Sequence, residues 1–315
     1  MSFGVLTLAT AGDYRKAIGL ALSVRVSNPG VPIAVACAPN MRGLLAPYFD
    51  YLIDKDPSLF GYVHKIHLDR YSPFEETFFF DSDVLLFRPL AEVIDHWRGQ
   101  PYAACGNYTK GGFSPFGLDR DRVLKKVGKE WLVHIDGAGH CYFRKPECHA
   151  VFDLAREVAT NYRSIAGNIK FADEDVIDIV MTILQLKPIP HGEFWSRYCT
   201  GRKGSVVMNA AKGECAFKLP TSGQLQRPYM MHFAYREVPF VHARQLRGLF
   251  KKFNVSTEGL IRDALKDYYI TKIKWPLKRV IKKLLAKFGL LHLVNRMTGR
   301  GAGINDMRQV DDLFR

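Results

Sequence analysis

Asp81 and Asp83 close an apolar run, Thr77-Phe78-Phe79-Phe80, and the run resumes at Val84-Leu85-Leu86-Phe87. Aromatic and β-branched residues in this density read as a buried strand. Unpaired carboxylates at the end of such a strand are unfavourable, so something cationic is expected beside them. Side chains two apart on an extended segment point the same way, so Asp81 and Asp83 can converge on one hard cation. Oxygen ligands suit Mg²⁺ or Mn²⁺, and an imidazole among them favours Mn²⁺. A cation held there could hold a diphosphate in turn. The alternative is a pair of aspartates in a surface turn, which the apolar residues on both sides argue against.

The segments that must position this pair alternate between strand and helix signals. Phe3–Ala9, Pro32–Cys37 and Tyr51–Ile53 read as strands, and Asp13 precedes a helical pattern through Ala17, Leu20, Ala21 and Val24. Met41–Tyr48 and Lys65–Tyr71 read as helical, and Asp173–Gln185 is a clear helix. The alternation predicts a Rossmann-like, mostly parallel α/β sheet with helices on both faces. In such sheets ligands bind at the carboxyl ends of the strands, where Asp81 and Asp83 stand.

The chain has 315 residues and a formal net charge of +14, which points to an anionic partner: phosphorylated substrates, an anionic membrane or nucleic acid. Its six Cys are scattered without a CxxC pair, which fits reduced thiols better than a disulfide framework or a zinc site. The N-terminal segment reads as a first strand rather than a leader, and no apolar run is long enough to span a bilayer.

From Lys272 to Lys287 there are seven Lys or Arg and no acid. Leu277, Val280, Ile281, Leu284, Leu285 and Phe288 recur at helical spacing, so an amphipathic helix with a basic polar face is expected. Tyr268, Tyr269 and Trp275 flank it. The ordinary alternative is a helix packed on its own domain. The missing acids and flanking aromatics favour an anionic membrane surface met by residues 268–294.

Lys65-Ile66-His67-Leu68, Phe78-Phe79-Phe80-Asp81-Ser82-Asp83 and Pro89-Leu90 together resemble the core of GT-A glycosyltransferases, and of glycosyltransferase family 8 in particular. The resemblance covers roughly residues 3–240 and is carried by short motifs in the family's order. Ala9-Thr10-Ala11-Gly12-Asp13-Tyr14 is similar to the loop that holds the uridine. There Tyr14 would stack on the base and the backbone of Ala9 and Thr10 would read its edge. The ordinary reading of Tyr14 is a packing residue at a helix start. Lys65 corresponds to a basic residue at the nucleotide, and Ser82 lies within the donor-binding motif.

Ile135-Asp136-Gly137-Ala138-Gly139 stands where the family has a turn beside the donor sugar. Asp173-Glu174-Asp175 stands where the family has an Asp-Gln segment against the reacting sugar carbon. Acids in a first helical turn are also favoured by the helix dipole alone. Met231-His232-Phe233-Ala234-Tyr235-Arg236 resembles the family's His-Phe motif. The resemblance makes His232 the third metal ligand and Arg236 a phosphate contact.

These features imply a metal-dependent glycosyltransferase that moves a hexose from a UDP-sugar to a lipid-linked or cell-surface glycan, with retention. Glu174, Asp136 and Asp173 are the catalytic candidates, and Mn²⁺ or Mg²⁺ is the cofactor. The expected organisation is a catalytic domain, 1–243, and a basic helical extension, 244–315. The expected location is cytoplasmic, peripheral on the inner face of a membrane. A nucleotidyltransferase also uses paired carboxylates on a Rossmann-like sheet, but Ala9–Asp13 makes a poor phosphate loop. A nucleic-acid-binding protein would suit the charge, but no recognition signature for nucleic acid is present and no such partner is expected.

Overall fold

The computed structural model describes residues 3–167, 169–192, 204–233 and 238–274, and beyond these 276, 277, 280, 281 and 284. Four strands come early in the chain: β1 (Phe3–Leu8), β2 (Ile33–Cys37), β3 (Tyr51–Asp54) and β4 (Glu76–Phe80). β5 (Val84–Leu86) follows directly on Asp83. β6 (Tyr102–Ala103), β7 (Gly106–Thr109), β8 (Leu132–Ile135) and β9 (His140–Arg144) form the middle of the chain. β10 (Val207–Asn209), β11 (Glu214–Lys218), β12 (Leu225–Gln226) and β13 (Met230–His232) come last.

The main sheet has six strands in the order β3-β2-β1-β4-β9-β6. β3, β2, β1 and β4 are parallel, and β9 runs antiparallel to both β4 and β6. The α/β sheet is therefore mainly parallel, as expected, with one reversed strand beside β4. The reversal matters for the site, because it brings the start of β9 to the end of β4, with Phe80 opposite His140.

Alternation along the strands divides the core between two sheet faces. Val5, Phe78 and Phe80 pack on one side with Ala17, Leu20 and Val24 of the helix Tyr14–Ser27, and with Leu246, Leu249 and Phe250 of the helix Pro239–Lys252. Leu6 and Phe79 pack on the other with Phe152 and Ala155 of the helix Cys148–Thr160, and with Val176 and Val180 of the helix Asp173–Ile183. Every residue of β4 is buried. Its three phenylalanines each contribute about 1.5–3 kcal/mol relative to exposure, enough to set its depth in the sheet.

Several expected elements are shorter than their patterns. Met41–Tyr48 contains only the helical turn Arg42–Leu45. Lys65–Tyr71 lies across a 3-10 stretch, Gly61–His67, and a short α-turn, Leu68–Tyr71. Asp13 precedes its helix, but its side chain makes no capping bond there. The position 243/244 lies inside the helix Pro239–Lys252, whose far half belongs to the core. Beyond it, the helix Leu260–Tyr268 docks on the start of the helix Tyr14–Ser27 through Arg15–Asp263 (2.9 Å) and Lys16–Asp267 (2.6 Å). Half of the basic stretch 272–287, with five of its seven Lys or Arg, lies outside the described residues. Among the described residues the cysteines are free and buried, and no helix is long and apolar enough to cross a membrane.

Candidate functional site

The Asp81–Asp83 turn is held from three sides. Asp81 N–H donates to Gly139 O (2.8 Å), tying the end of β4 to the turn before β9. Val84 N–H donates to Asp81 O (3.0 Å), which closes the turn. β13 then pairs antiparallel with β5, placing His232 opposite Val84, and Phe233 N–H donates to Asp83 O (2.9 Å). The result is His232 Nε2 at 3.1 Å from Asp83 Oδ1.

One ligand atom from each of Asp81, Asp83 and His232 lies within 4.8 Å of the others, the spread expected of a single cation's ligands. Gly139 forms the wall beside them. A Cβ there would stand 2.8 Å from His232 Cε1 and 3.1 Å from Asp81 Oδ2, so glycine is required for the close approach. Burial opposes charge on both members of the Asp83–His232 pair, but their mutual attraction wins. Asp83 is held below the usual carboxylate range and His232 is raised from its ordinary value. A divalent cation would bind the neutral imidazole and the ionised carboxylates, and that donor set suits Mn²⁺ or Mg²⁺.

Lys65 occupies the centre of the charge cluster. Its Nζ donates to Asp81 Oδ2 (2.9 Å) and Ala138 O (3.1 Å), and lies 3.5 Å from Asp173 Oδ2. Burial alone would lower its pKa, yet Asp81 and Asp173 together raise it. Asp173 Oδ2 accepts no hydrogen bond, and burial pushes its carboxyl up against the pull of Lys65. The structure thus brings the expected Lys65 and Asp173 to the Asp81–Asp83 turn.

Glu174 is 8% exposed, and its Oε2 would lie 3.9 Å from a Cβ on Gly137, whose φ is +88°. Burial raises its carboxyl to about 8, helped by Asp178, Asp173, Asp175 and Asp136. At neutral pH it therefore carries a proton. Asp136 is anchored by its own N–H to Cys105 O (2.9 Å), and its carboxylate pairs with His191 Nε2. Asp178, fully buried, accepts from Ile135 N–H (2.8 Å) and is pushed up by burial to about 6. The middle of the helix Asp173–Ile183 thus braces the end of β8, from which the turn with Asp136 and Gly137 leaves.

The loop after β1 stands at the strand end next to β4. Ala9 is buried and Thr10 exposed. Asp13 Oδ1 accepts from both Thr10 N–H (2.6 Å) and Thr10 Oγ1 (2.9 Å), which rigidifies the loop. Tyr14 is half-buried, and the Arg15 guanidinium lies 4.6 Å from its ring centroid. Ser82 is buried between the two aspartates. Arg236 lies outside the described residues.

Two features had no motif to announce them. His242, 3% exposed, stacks on Phe233 with ring centroids 4.4 Å apart and planes 5° apart. Its Nε2 has no hydrogen-bond partner, and burial lowers its pKa to about 3. A histidine at helical spacing is indistinguishable in sequence from a surface residue. The second feature is the pair of adjacent cations Arg15 and Lys16, whose partners Asp263 and Asp267 are four residues apart on one helix face.

No protein family's sequence profile matches the chain, and no curated protein matches it by sequence. In structure the chain is similar to several glycosyltransferases. One is the galactosyltransferase LgtC in complex with donor and acceptor sugar analogs, at 14% identity and TM-score 0.46, covering 62% of this chain and 76% of that one. Another is the bifunctional glycosyltransferase WbbM, at 13% identity and TM-score 0.48, covering 83% of this chain and 51% of that one. A third is mouse xyloside xylosyltransferase 1, at 9% identity and TM-score 0.41, covering 74% of this chain and 97% of that one.

Proposed function

We propose that this protein is a glycosyltransferase that moves a hexose from a UDP-sugar to a glycan acceptor. The observation that carries the reading is the convergence of Asp81, Asp83 and His232 at the carboxyl end of β4. Such a set would hold Mn²⁺ or Mg²⁺, and a bound divalent cation would stabilise the charge that develops on the diphosphate leaving group. Lys65 adds positive charge beside the same carboxylates, and Arg236 is a further candidate for the phosphates. The loop Ala9–Asp13 would receive the nucleoside, with Tyr14 at its end, and Ser82 lies between the two aspartates.

Glu174, Asp136 and Asp173 form the carboxyl group of residues that would face the sugar. Once deprotonated, Glu174 could stabilise an oxocarbenium-like centre or attack the anomeric carbon, either of which suits retention. Asp136, held by His191, would bind sugar hydroxyls. Asp173 would keep Lys65 in place.

The acceptor is proposed to be lipid-linked or at the cell surface, with the enzyme peripheral on the cytoplasmic face of the membrane. The support is the acid-free run of seven Lys or Arg from 272 to 287, together with exposed Tyr268, Tyr269, Ile273, Leu277, Val280 and Leu284. Each such cation near an anionic surface contributes about 1 kcal/mol.

Asp83→Ala tests the reading. It should abolish Mn²⁺-dependent transfer and hydrolysis of the UDP-sugar while the protein remains folded. Unchanged turnover in the folded variant would overturn the proposed site.

A further inference from the structure

The turn Asp136-Gly137-Ala138-Gly139 touches a different part of the candidate site with each residue. Gly139 O accepts from Asp81 N–H (2.8 Å), and Ala138 O accepts from Lys65 Nζ (3.1 Å). Gly137 lies against Glu174, whose Oε2 is 3.9 Å from the place of its Cβ. Asp136 pairs with His191 Nε2. One short turn therefore carries the His191 imidazole, Glu174, Lys65 and the Asp81–Asp83 turn.

The backbone sets His191 there. Ile189, two residues earlier, bridges Cys105: its N–H donates to Ala104 O (2.9 Å) and its O accepts from Gly106 N–H (2.9 Å). Cys105 O, between these two bonds, accepts from Asp136 N–H (2.9 Å). The stretch Ala104–Gly106 thus lies between the segment that carries His191 and the one that carries Asp136.

The segment is already pinned by those bonds, and the Asp136–His191 pair adds little to its stability. The two side chains are 28% and 31% exposed, and an ion pair near the surface contributes about 0–1 kcal/mol. What the pair does fix is the imidazole's orientation. A histidine gripped by a carboxylate through one ring nitrogen, beside the reacting centre, has the arrangement of an oriented general base.

We propose that His191 is the base that takes the proton of the acceptor hydroxyl, with Asp136 orienting it. This rests on the nucleotide-sugar reading of the site and adds to it the residue that activates the acceptor. As the acceptor oxygen bonds to the anomeric carbon, its O–H bond breaks and the proton passes to His191 Nδ1. The bond from the anomeric carbon to the diphosphate breaks, and its electron pair leaves on UDP. Where Glu174 has first taken the sugar, the acceptor displaces that carboxylate instead and loses its proton to the same imidazole. The Asp136 carboxylate balances the imidazolium until the proton passes to water.

The test compares two small acceptors: water, which must lose a proton to react, and azide, which has none to lose. Hexose and hexosyl azide formed from UDP-glucose and UDP-galactose are measured with Mn²⁺ for wild type, His191→Ala and His191→Gln. Both variants should transfer to water about a hundred-fold more slowly or worse, and lose far less of their transfer to azide. Their affinity for UDP with Mn²⁺, read by calorimetry, should stay at the wild-type value. Undiminished hydrolysis in the variants would overturn the proposal. So would an equal loss for water and azide, or loss of UDP binding in both variants, since His191 would then only hold the turn in place. Wild-type protein that neither binds UDP with Mn²⁺ nor turns over either donor would remove the nucleotide-sugar reading itself, and the base with it.

Discussion

His232 Nε2 and Asp83 Oδ1 stand 3.1 Å apart, although one residue follows β4 and the other ends β13. The antiparallel register of β5 with β13 brings them together, and the Phe233 N–H bond to Asp83 O locks it. A slip of one residue in that short pairing would turn the imidazole to the opposite face. The proposed cation site is therefore only as well defined as a three-residue strand pair and the glycine beside it.

Gly139→Ala probes that glycine. Its Cβ would press on His232 Cε1 and Asp81 Oδ2, at 2.8 Å and 3.1 Å, so the ligand set must spread. Mn²⁺ affinity should fall on the order of ten-fold, comparable to losing a supporting interaction of a metal ligand. Gly43→Ala, where a Cβ meets nothing within 4 Å, is the control and should leave affinity unchanged. Calorimetric titration with Mn²⁺ checks both, and equal affinities would place the cation elsewhere.

Glu174 makes the stability depend on pH in a defined direction. Its carboxyl is raised to about 8 in the folded protein, from an ordinary value of 4.5. Between those values the folded state keeps a proton that the unfolded chain has released, so stability falls as pH rises. Glu174→Gln has no proton to lose there. Its advantage over wild type in denaturant unfolding should grow from pH 5 to pH 8, by a few kcal/mol at most. Parallel pH curves would contradict the burial of an ionisable group at this position.

The same residue should shape the rate. A Glu174 that works as a carboxylate must first lose its proton, so kcat/KM for the sugar donor should rise with pH through about 8. A wild-type profile that is flat from pH 6 to pH 9 would assign the acid–base limb elsewhere.

Deleting residues 272–315 tests the membrane reading. The deletion removes the acid-free basic run but keeps the Arg15–Asp263 and Lys16–Asp267 contacts that dock the preceding helix. Binding to vesicles of anionic phospholipid should be lost in a sedimentation assay, while hydrolysis of the UDP-sugar persists. Retained vesicle binding would move the membrane contact to another surface.

The sheet and the Asp81–Asp83 turn were legible because their signals are local. The triple phenylalanine of β4 and the strand–helix alternation before it are patterns within a few residues of one another. The acidic start of the helix Asp173–Ile183 was equally plain. The reversed strand β9 was not, since an apolar run carries no mark of its direction. Nor was the pairing of Lys65 with Asp173 and Ala138 O, which joins three distant segments through one ammonium. His242 escaped for a related reason, because its place is set by a stack on Phe233 and by burial rather than by spacing.

The most direct measurement is calorimetric titration of the 315-residue chain with UDP, with and without Mn²⁺, beside GDP and CDP. Binding that requires Mn²⁺, favours UDP and disappears in Asp83→Ala is the expected result. UDP binding that is indifferent to Mn²⁺ and to Asp83 would contradict a cation-held diphosphate at the end of β4.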